Sequence, residues 1–439
     1  MNRKYISVPI IIAGLILGQG MVNGEKLTLG DAIGKGLQNN FGIRISKESL
    51  KIAENNNTWG IAGRYPTLSV GAQSLNSWNN APSAADPDER ADYRSNLLLP
   101  NINLRWTLFS GFSVSITKSK LDLLNRISEG NSAIIVENVI QAVILSYYRV
   151  LLEGEKVKVL EELKKLSSDR LTYVNLKKEL GALSTYEALQ SKIAFLNDSA
   201  GLAAQEINFR NSKRAMNLVL GEGEEKEYEL TDPFRVDMED YDLGTLREAM
   251  FSSNRTLKNQ YINLQILRKD LSLSKSPLFP SLTLNTGLDG TRSAFKYPGT
   301  PETVSNSYDY YVNMSLGWTL FNGGKVRTAI KNAKIAEKIG DIRLDEMKFT
   351  LNNTLVSLYE TYNLRKKLYL LADEGLMSAS LNLKISFDKY KAGSINSFNY
   401  RDVQLLYLNA ALSKLQAIFN IIDTRSELMR ITGGLVGQK

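Results

Sequence analysis

The feature that most constrains this chain is a short motif that occurs twice. Trp106-Thr107-Leu108-Phe109-Ser110-Gly111 recurs as Trp318-Thr319-Leu320-Phe321-Asn322-Gly323, 212 residues later. Each copy ends a run of alternating polar and apolar residues and begins a long stretch with helical periodicity. The sequence therefore predicts two strand-to-helix junctions, one in each half of the chain.

The residues before each junction alternate as a strand with two different faces requires. Ile102, Leu104, Trp106 and Leu108 share one face in the first run, and residues 310–320 alternate in the same way. Both runs are about as long as a tilted strand that crosses a bilayer. An antiparallel sheet on a soluble core also alternates. We favour membrane strands because aromatic residues gather at one end and long helices follow directly.

A second strand precedes each junction strand. Tyr65-Pro66-Thr67-Leu68 and Phe279-Pro280-Ser281-Leu282 each place proline at a strand start, where a ladder donor is dispensable. The sequence thus predicts two β-hairpins with polar loops over 76–96 and about 289–307. The aromatic residues at the helix-side ends of the four strands form a predicted membrane-interface girdle, comprising Tyr65, Trp106, Phe109, Phe279, Trp318 and Phe321.

Composition excludes most enzyme chemistry. The 439 residues include no cysteine and no histidine, which removes disulfides, thiol and histidine-based triads, and the commonest zinc ligands. No phosphate-binding loop or metal cluster is recognisable, so we predict no catalytic, cofactor or metal site. The net charge of +8 is spread along the chain without a basic block, which gives little support to nucleic-acid binding.

Residues 1–24 have the pattern of a secretory signal peptide. Arg3 and Lys4 precede an apolar run over 6–17 and a set of small residues that ends at Gly24. A membrane anchor is the alternative, but the run is short for a span. We expect no later window to be apolar enough for a transmembrane helix. The acidic stretch Asp86-Pro87-Asp88-Glu89 is either a divalent-cation site or, as we favour, a solvated loop.

Each half of the chain has the same predicted order of elements. An opening helix (28–64 or 246–276) precedes the hairpin, and a long helix follows it (to about 179, or 325–391). Glycine-containing breaks then lead into return helices, of which the first carries a heptad seam at Ile193, Leu196, Ala200, Ala203 and Ile207. We interpret the seam as wall packing rather than a partner-binding stripe. The predicted divisions are a first repeat 25–221, an acidic linker 222–243, a second repeat 244–434 and a short tail 435–439, with an internal duplication as the explanation.

Four strands cannot close a membrane barrel, which needs at least about eight. Three copies of the chain supply about twelve strands and leave no free edge. The predicted fold class is an α+β membrane protein, a homotrimer with a transmembrane β-barrel of four strands per chain, continued by a long α-helical coiled-coil tunnel. A trimeric coiled-coil scaffold without a pore is the alternative, but it leaves the alternating hairpins unexplained.

The sequence resembles the TolC family of outer-membrane channel-tunnel proteins over essentially the whole chain after residue 24. The resemblance rests on the two junctions, the Tyr-Pro and Phe-Pro strand starts, the repeat, and the breaks at Leu180-Gly181-Ala182 and Lys391-Ala392-Gly393. It implies a homotrimer in the outer membrane of a Gram-negative cell, with a helical tunnel in the periplasm. The implied role is a passive exit duct for tripartite efflux or type I secretion. The implied partners are a periplasmic adaptor protein, an inner-membrane RND or ABC transporter and outer-membrane lipid, with no nucleic acid.

The resemblance also implies a periplasmic aperture lined a few positions after each break glycine. The residues that match it are Glu187, Asn399 and Asp402, and Tyr390, just before Gly393, matches an aromatic that is common at the tip. Asn399 departs from the family, which often has an acid there, and Ile395 stands where some members have an arginine that helps to hold the mouth closed. Rings of Glu187 and Asp402 would favour cations. The alternative is that both are solvated polar residues of a helix.

The resemblance places adaptor docking at the helix tips. The expected docking residues are Gly181, Ala182, Leu183, Ser184, Gly393, Ser394, Ile395 and Asn396. Small residues at these turns permit close approach of another helical hairpin. Simple helix reversal is the alternative, and the two roles are compatible.

Overall fold

A computed structural model describes residues 25–82, 90–297 and 299–435. The predicted signal peptide, the acidic stretch Asp86-Pro87-Asp88-Glu89 and residues 436–439 of the predicted tail lie outside the described residues.

The helices and strands follow a similar order in each half of the chain. The first half contains β1 (Glu25–Leu27), α1 (Leu29–Asn39), α2 (Phe41–Asn56), β2 (Thr67–Pro82), β3 (Arg90–Ser110), α3 (Ser113–Glu179) and α4 (Thr185–Leu220). The second half contains β4 (Tyr228–Leu230), α5 (Leu243–Ser253), α6 (Arg255–Lys275), a 3-10 turn (Ser276–Leu278), β5 (Ser281–Lys296), β6 (Thr303–Gly317), α7 (Lys325–Lys391) and α8 (Ser397–Ile431).

The chain divides into two compact units. Among the described residues, the first unit comprises 25–36, Val143–Arg235 and Ala372–Phe419, and the second comprises Leu37–Ala142, Val236–Leu371 and 420–435. The helix-turn tips therefore belong to the first unit, and the four strands of the two hairpins belong to the second.

In the first unit, a buried tyrosine of α3 holds the parallel strand pair β1 and β4. The hydroxyl oxygen of Tyr147 lies 2.9 Å from the carbonyl oxygen of Leu27 and 2.6 Å from the carboxylate of Asp232. The same carboxylate accepts a 2.8 Å hydrogen bond from the backbone N–H of Leu29. Burial, and then the neighbouring carboxylate, raise the pKa of Tyr147, so its phenol remains a hydrogen-bond donor.

In the second unit, the helices α5, α7 and α8 enclose an apolar core. Its fully or almost fully buried members are Met250, Leu355, Tyr362, Ile421, Leu428 and Ile431. The predicted linker packs against this core, since the Tyr362 hydroxyl donates a 3.0 Å hydrogen bond to the carbonyl oxygen of Glu239 and Arg425 forms a 2.6 Å ion pair with its carboxylate. The end of the linker is thus fixed to the helices by specific contacts.

The two opening helices are each broken by an asparagine, so the prediction of continuous helices over 28–64 and 246–276 was wrong. The side-chain oxygen of Asn40 accepts a 2.8 Å hydrogen bond from the N–H of Gly42 at the start of α2. The side-chain oxygen of Asn254 accepts a 2.9 Å bond from the N–H of Leu257 at the start of α6. A capping side chain satisfies free backbone donors, and hydrophobic periodicity carries no record of it.

The strands are longer than the polar sequence suggested. The predicted loops 76–96 and about 289–307 were too long, because β2 continues to Pro82 and β5 to Lys296. Cross-strand bonds between polar residues support the added length. For example, the Asn80 side chain donates a 2.6 Å hydrogen bond to the carboxylate of Asp92.

The two junction motifs differ in structure, although the sequence predicted both as strand. β3 continues through Trp106 to Ser110, whereas β6 ends at Gly317. The neighbouring strand β5 begins at Ser281, which pairs with Gly317, so residues from Trp318 onward have no partner strand among the described residues. A bulge between Thr107 and Phe109 places Phe109, rather than Leu108, opposite Leu282.

The apolar seam predicted on α4 does not face the rest of its own chain. Ile193, Leu196 and Ile207 are 50%, 53% and 47% exposed. The buried stripe of α4 is instead rich in polar residues, namely Ser191, Asp198, Gln205 and Ser212, interspersed with Leu202 and Met216. Specific polar contacts hold this polar face of α4 against the chain, although hydrophobicity alone predicts that the apolar face is buried. One example is the 2.6 Å hydrogen bond from Gln205 to the carboxylate of Glu153.

Two helices, α3 and α8, are long and apolar enough to span a membrane by length and composition, so the expectation that no later segment would be was wrong. This property is weak evidence of a span, because a packed helix of a water-soluble domain passes the same test.

Candidate functional site

The four-stranded sheet has one apolar face that is largely exposed. Its order is β2-β3-β5-β6, and all neighbouring strands are antiparallel. Val70 pairs with Ile102, and Leu284 pairs with Met314 on the same face. On β6, Tyr310, Val312, Met314 and Leu316 are 80%, 74%, 64% and 73% exposed. An apolar surface of this extent requires an apolar environment outside the chain.

The opposite face of the sheet is polar and hydrogen-bonded across strands. The Asn103 side chain donates a 2.7 Å hydrogen bond to the Tyr311 hydroxyl, and the Nε of Arg105 donates a 3.1 Å bond to the side-chain oxygen of Asn285. Asp289 and Asp309 lie directly opposite each other on β5 and β6 and are both exposed. Like charges in this position destabilise a sheet, so the acids favour a well-hydrated surface.

Gly287 makes the polar face possible at its centre. A Cβ at this position would lie 2.4 Å from the carbonyl oxygen of Ile102 and 2.8 Å from the hydroxyl of Tyr311. The glycine therefore allows the Tyr311 ring to lie flat across β5 and to reach Asn103.

The predicted girdle aromatics lie at the helix-side end of the sheet, and two of them bond to the backbone. The indole N–H of Trp106 donates a 2.9 Å hydrogen bond to the carbonyl oxygen of Arg64, and that of Trp318 donates a 3.1 Å bond to the carbonyl oxygen of Leu278. Phe112 links the other rings, with centroids 5.1 Å from Phe109 and 5.5 Å from Phe279. The remaining members, Tyr65 and Phe321, are 61% and 84% exposed. Contact of this set with membrane remains a prediction.

At the other candidate site, both helix-turn tips have the same backbone structure. Gly181 and Gly393 adopt positive φ angles of 73° and 76°, a conformation that glycine adopts without steric strain. The N–H groups of Ala182 and Ser394 each donate a 2.8 Å hydrogen bond back into the preceding helix, to the carbonyl oxygens of Lys177 and Lys389. This pattern closes the helix ends and exposes most of the turn residues.

Glu187 has a structural role at the first tip. Its carboxylate accepts a 3.0 Å hydrogen bond from the backbone N–H of Ser184, and the Ser184 hydroxyl accepts a 3.3 Å bond from the N–H of Glu187. The Ser-x-x-Glu spacing is the sequence signature of this reciprocal cap. Glu187 thus contributes a negative charge near the turn while holding the helix start.

At the second tip, Asn396 caps α8. Its side-chain oxygen accepts a 2.8 Å hydrogen bond from the N–H of Asn399 and a 3.1 Å bond from that of Phe398. Asn399 and Asp402 are exposed. The two tips contact each other, since the rings of Phe398 and Tyr186 lie 6.0 Å apart. The structure therefore brings the predicted tip residues of both repeats together in one region.

Tyr390, by contrast, is buried inside the chain, with 6% of its surface exposed. Its ring stacks on Tyr400 at 4.9 Å and meets the edge of Tyr173 at 5.1 Å. None of the described residues forms a hydrogen bond with its hydroxyl. Burial raises the pKa of this phenol. The ring lines a small cavity of about 360 Å³ together with Leu176.

Three charged residues beneath the tips form a cluster that the sequence did not predict. Arg401 of α8 makes two hydrogen bonds, of 2.7 and 2.6 Å, to the carboxylate of Asp198 on α4. Arg170 of α3 is 4% exposed and donates a 3.3 Å bond to the carbonyl oxygen of Ser397. Burial, and then the nearby positive charge of Arg401, lower the pKa of Arg170 to about 10. These residues lie far apart in sequence, so only the packed helices bring them together.

Comparisons with known proteins agree with this geometry. Residues 246–434 match the family model of outer membrane efflux proteins. The fold is similar to that of the CmeC outer membrane channel of Campylobacter jejuni (14% identity, TM-score 0.72, 92% of this chain and 85% of that chain). It is also similar to the outer membrane protein VceC of Vibrio cholerae (12% identity, TM-score 0.71, 92% and 96%) and to the open state of the MtrE outer membrane channel of Neisseria gonorrhoeae (13%, TM-score 0.68, 93% and 89%). No curated protein sequence matches this chain.

The fold is thus that of outer membrane efflux channels, and residues 246–434 match the family model of outer membrane efflux proteins. The resemblance to the TolC family that the junction motifs predicted is confirmed by both findings.

Proposed function

We propose that this chain is the outer-membrane channel-tunnel of a tripartite efflux or type I secretion system. In this role it conducts substrates passively from an inner-membrane pump across the periplasm and outer membrane. The observation that carries the proposal is the sheet, with an exposed apolar face, a polar face, and edge strands β2 and β6 that each pair on one side only among the described residues. Lipid covers the first face and water the second.

The unpaired edges support closure by other copies of the chain. An open edge is not tolerated in lipid, and a homotrimer joins β6 of one copy to β2 of the next. The internal repeat predicts the register in which β6 of one copy pairs with β2 of the next. Asn103 pairs with Gly287 inside the chain. The counterpart of Asn103 in the other half is Ser315, 212 residues later, and the counterpart of Gly287 is Gln73, 214 residues earlier. Ser315 of one copy therefore pairs with Gln73 of the next.

The same strand pairing between copies explains why the second motif copy is also written as a strand in the sequence. Residues Trp106 to Ser110 are strand because β5 lies beside them. By the same correspondence, Trp318 pairs with Val70 of the neighbouring copy. Trimer assembly therefore extends β6 through the motif, and an internal duplication explains why both copies are present.

Helix surfaces support the same assembly. The exposed seam of α4, which includes Ile193 and Leu196, and a similar stripe on α7, which includes Ile335, Ile339 and Ile342, have no cover in the single chain. Their spacing of three and four residues suits packing against helices of neighbouring copies. The stripes then form the seams of a helical tunnel wall.

The tips form the periplasmic mouth and the adaptor-docking surface in this proposal. Rings of Glu187 and exposed Asp402 give the mouth a negative potential that favours cations. The glycine turns present small exposed residues, including Ala182 and Ser394, to an adaptor hairpin. Energy comes from the inner-membrane partner, an RND or ABC transporter, because no nucleotide-binding motif is recognisable in the sequence.

Cysteine crosslinking tests the assembly. The chain has no cysteine of its own, so an introduced pair reports without background. Gln73→Cys with Ser315→Cys should give disulfide-linked trimers in outer membranes. The two positions lie three strand spacings apart within one chain, about 14 Å, beyond disulfide reach. Gln73→Cys with Met314→Cys is the matched control, because Met314 lies on the other face of the sheet and should not crosslink.

Conductance tests the channel. The purified protein should form detergent-dependent trimers that open single channels in planar bilayers. A water-soluble monomer that never conducts would reject the proposal. A trimer that needs no detergent and does not conduct would instead indicate the alternative function, a coiled-coil scaffold without a pore.

A further inference from the structure

The apolar face of the sheet carries a cluster of cations at the end near the hairpin turns. Arg94 of β3 lies directly opposite Lys296 of β5, and Arg292 lies on the same face four residues from Lys296, opposite Leu98. All three side chains are exposed. They share the face of Ile102, Leu104 and Trp106, because side chains two residues apart point to the same side of a strand. We call these three residues the basic rim.

The distance between the basic rim and the girdle residue Trp106 along β3 matches the thickness of the membrane. Arg94 is twelve residues from Trp106 on the same strand. At about 3.3 Å per residue this separation is about 40 Å, or about 30 Å along the membrane normal for a strand tilted by about 40°. Since the hydrocarbon layer is about 30 Å thick, a girdle at Trp106 in one interface places Arg94 at the headgroups of the other. Arg292, opposite Leu98, lies about 10 Å deeper along the membrane normal. Its long side chain extends toward the same headgroups.

Aromatic residues flank the basic rim as they do at a lipid headgroup layer. The guanidinium of Arg94 lies 5.5 Å from the ring centroid of Trp78, which pairs with it across β2 and β3. Trp78 is 73% exposed, and Tyr308 of β6, on the same face, is 68% exposed. An open pocket of about 460 Å³ lies between Trp78, Arg94 and Lys296. The ring fixes the plane of the guanidinium and leaves its donors free to bind an anion.

The charge pattern indicates an anionic ligand in the lipid, not in the pore. On the polar face the acids Asp289 and Asp309 lie nearby, whereas the three cations lie on the lipid-facing side. The one described acid beside the rim, Asp92, accepts a 2.6 Å hydrogen bond from Asn80. A cation that faces lipid without a counter-ion among the described residues is costly, and a phosphate accepts paired hydrogen bonds from arginine.

We propose that the basic rim binds the phosphate groups of an anionic lipid in the leaflet next to the hairpin turns. This inference rests on the proposed membrane-spanning trimer, which presents three such rims around the barrel. Binding anchors the loop-side end of the sheet at a fixed depth and replaces the water that the cations lose on insertion.

Lipid A, a diphosphorylated glycolipid, is a suitable probe. The delipidated trimer in detergent is titrated with lipid A and followed by native mass spectrometry. The variant Arg94→Gln/Arg292→Gln/Lys296→Gln should bind at least tenfold more weakly. The matched control Lys331→Gln/Lys334→Gln/Lys338→Gln removes the same charge from exposed positions of α7 and should bind within twofold of the unaltered protein. Arg94→Lys keeps the charge but loses the paired donors, so its affinity should fall between those of the unaltered protein and Arg94→Gln.

The outcomes separate this inference from the proposed function. Equal affinity of the rim variant and the unaltered protein overturns the lipid site, provided that the variant is a conducting trimer in neutral bilayers. If the rim variant does not assemble, Arg94→Gln alone is titrated, and unchanged affinity has the same meaning. Displacement of lipid A by millimolar inorganic phosphate also overturns it, because a simple anion site would then explain the binding. Failure of the unaltered protein to conduct rejects the proposed function instead.

Discussion

The indole N–H of Trp106 donates a 2.9 Å hydrogen bond to the backbone carbonyl oxygen of Arg64. This bond ties the end of one hairpin strand to the segment that enters its partner. Trp318 makes the same kind of bond, at 3.1 Å, to the carbonyl oxygen of Leu278. In both halves of the chain, the same kind of hydrogen bond therefore closes the helix-side end of the hairpin. An amphipathic indole that satisfies a carbonyl suits the boundary between lipid and water.

Replacing Trp106 by phenylalanine should lower the temperature at which the trimer dissociates. The change removes a hydrogen bond worth about 1 kcal/mol and leaves the Arg64 carbonyl without its partner. Trp318→Phe is the matched variant and should also lower this temperature, because it removes the bond from the Trp318 indole to the Leu278 carbonyl oxygen. The measurement is the loss of the trimer band on heating before electrophoresis. An unchanged dissociation temperature in both variants would contradict a role of these bonds in the trimer.

Breaking the ion pair between Asp198 and Arg401 should destabilise the helix tips strongly. The two side chains are only 6% and 16% exposed, so Asp198→Asn leaves a buried guanidinium without a countercharge, at a cost of about 3–5 kcal/mol. The double variant Asp198→Leu/Arg401→Met removes both charges and should recover most of that loss. Urea unfolding followed by circular dichroism measures the difference. A double variant no more stable than Asp198→Asn would show that the pair is not the cause.

The cation selectivity proposed for the mouth can be tested without disturbing the helix cap. Glu187→Gln retains an acceptor for the Ser184 N–H, whereas Glu187→Ala loses it and should also reduce stability by about 1 kcal/mol. Glu187→Gln combined with Asp402→Asn should therefore weaken cation selectivity in planar bilayers at unchanged stability. Reversal potentials in a salt gradient measure the effect. Unchanged selectivity would remove both residues from the aperture.

Two glutamates near the C-terminal end of α8 should give opposite dependences of stability on pH. Hydrogen bonding to Arg430 holds the pKa of Glu427 below its ordinary value of 4.5, and burial raises the pKa of Glu137 above it. Ionised Glu427 therefore stabilises the fold above the unfolded pKa, and this contribution is lost as the pH falls through the lowered pKa. Ionised Glu137 is destabilising at neutral pH, and its penalty disappears as the pH falls through the raised pKa.

The corresponding variants should separate at pH 7 and converge in acid. Glu427→Gln should lower the free energy of unfolding by up to about 1 kcal/mol at pH 7, and Glu137→Gln should raise it slightly. The Glu137→Gln difference should shrink as the pH falls toward 4.5, and the Glu427→Gln difference only as the pH falls below 4.5, in urea titrations at a series of pH values. The contrary result is a loss of stability in Glu427→Gln that grows on acidification.

Local patterns were sufficient for the hairpins and the turns at Gly181 and Gly393. Alternation with a period of two marks the strands, and a glycine before a capping serine or asparagine marks each turn. The breaks at Asn40 and Asn254 could not be predicted in this way, because a cap is a single hydrogen bond that periodicity does not record. The end of β6 at Gly317 could not be predicted either, because a strand continues only where another strand lies beside it.

The sequence by itself determined the two-faced strands, the repeated junctions and the resemblance to the TolC family, because each depends on the order of residues along a short stretch. Only the tertiary structure decided that Tyr390 is buried, that Asp198 meets Arg401, and that Ile193 faces outward. These outcomes depend on contacts between helices distant in sequence. At such contacts a few well-placed polar bonds outweigh the hydrophobic pattern, because a buried charge or amide must find its partner wherever the chain can provide one.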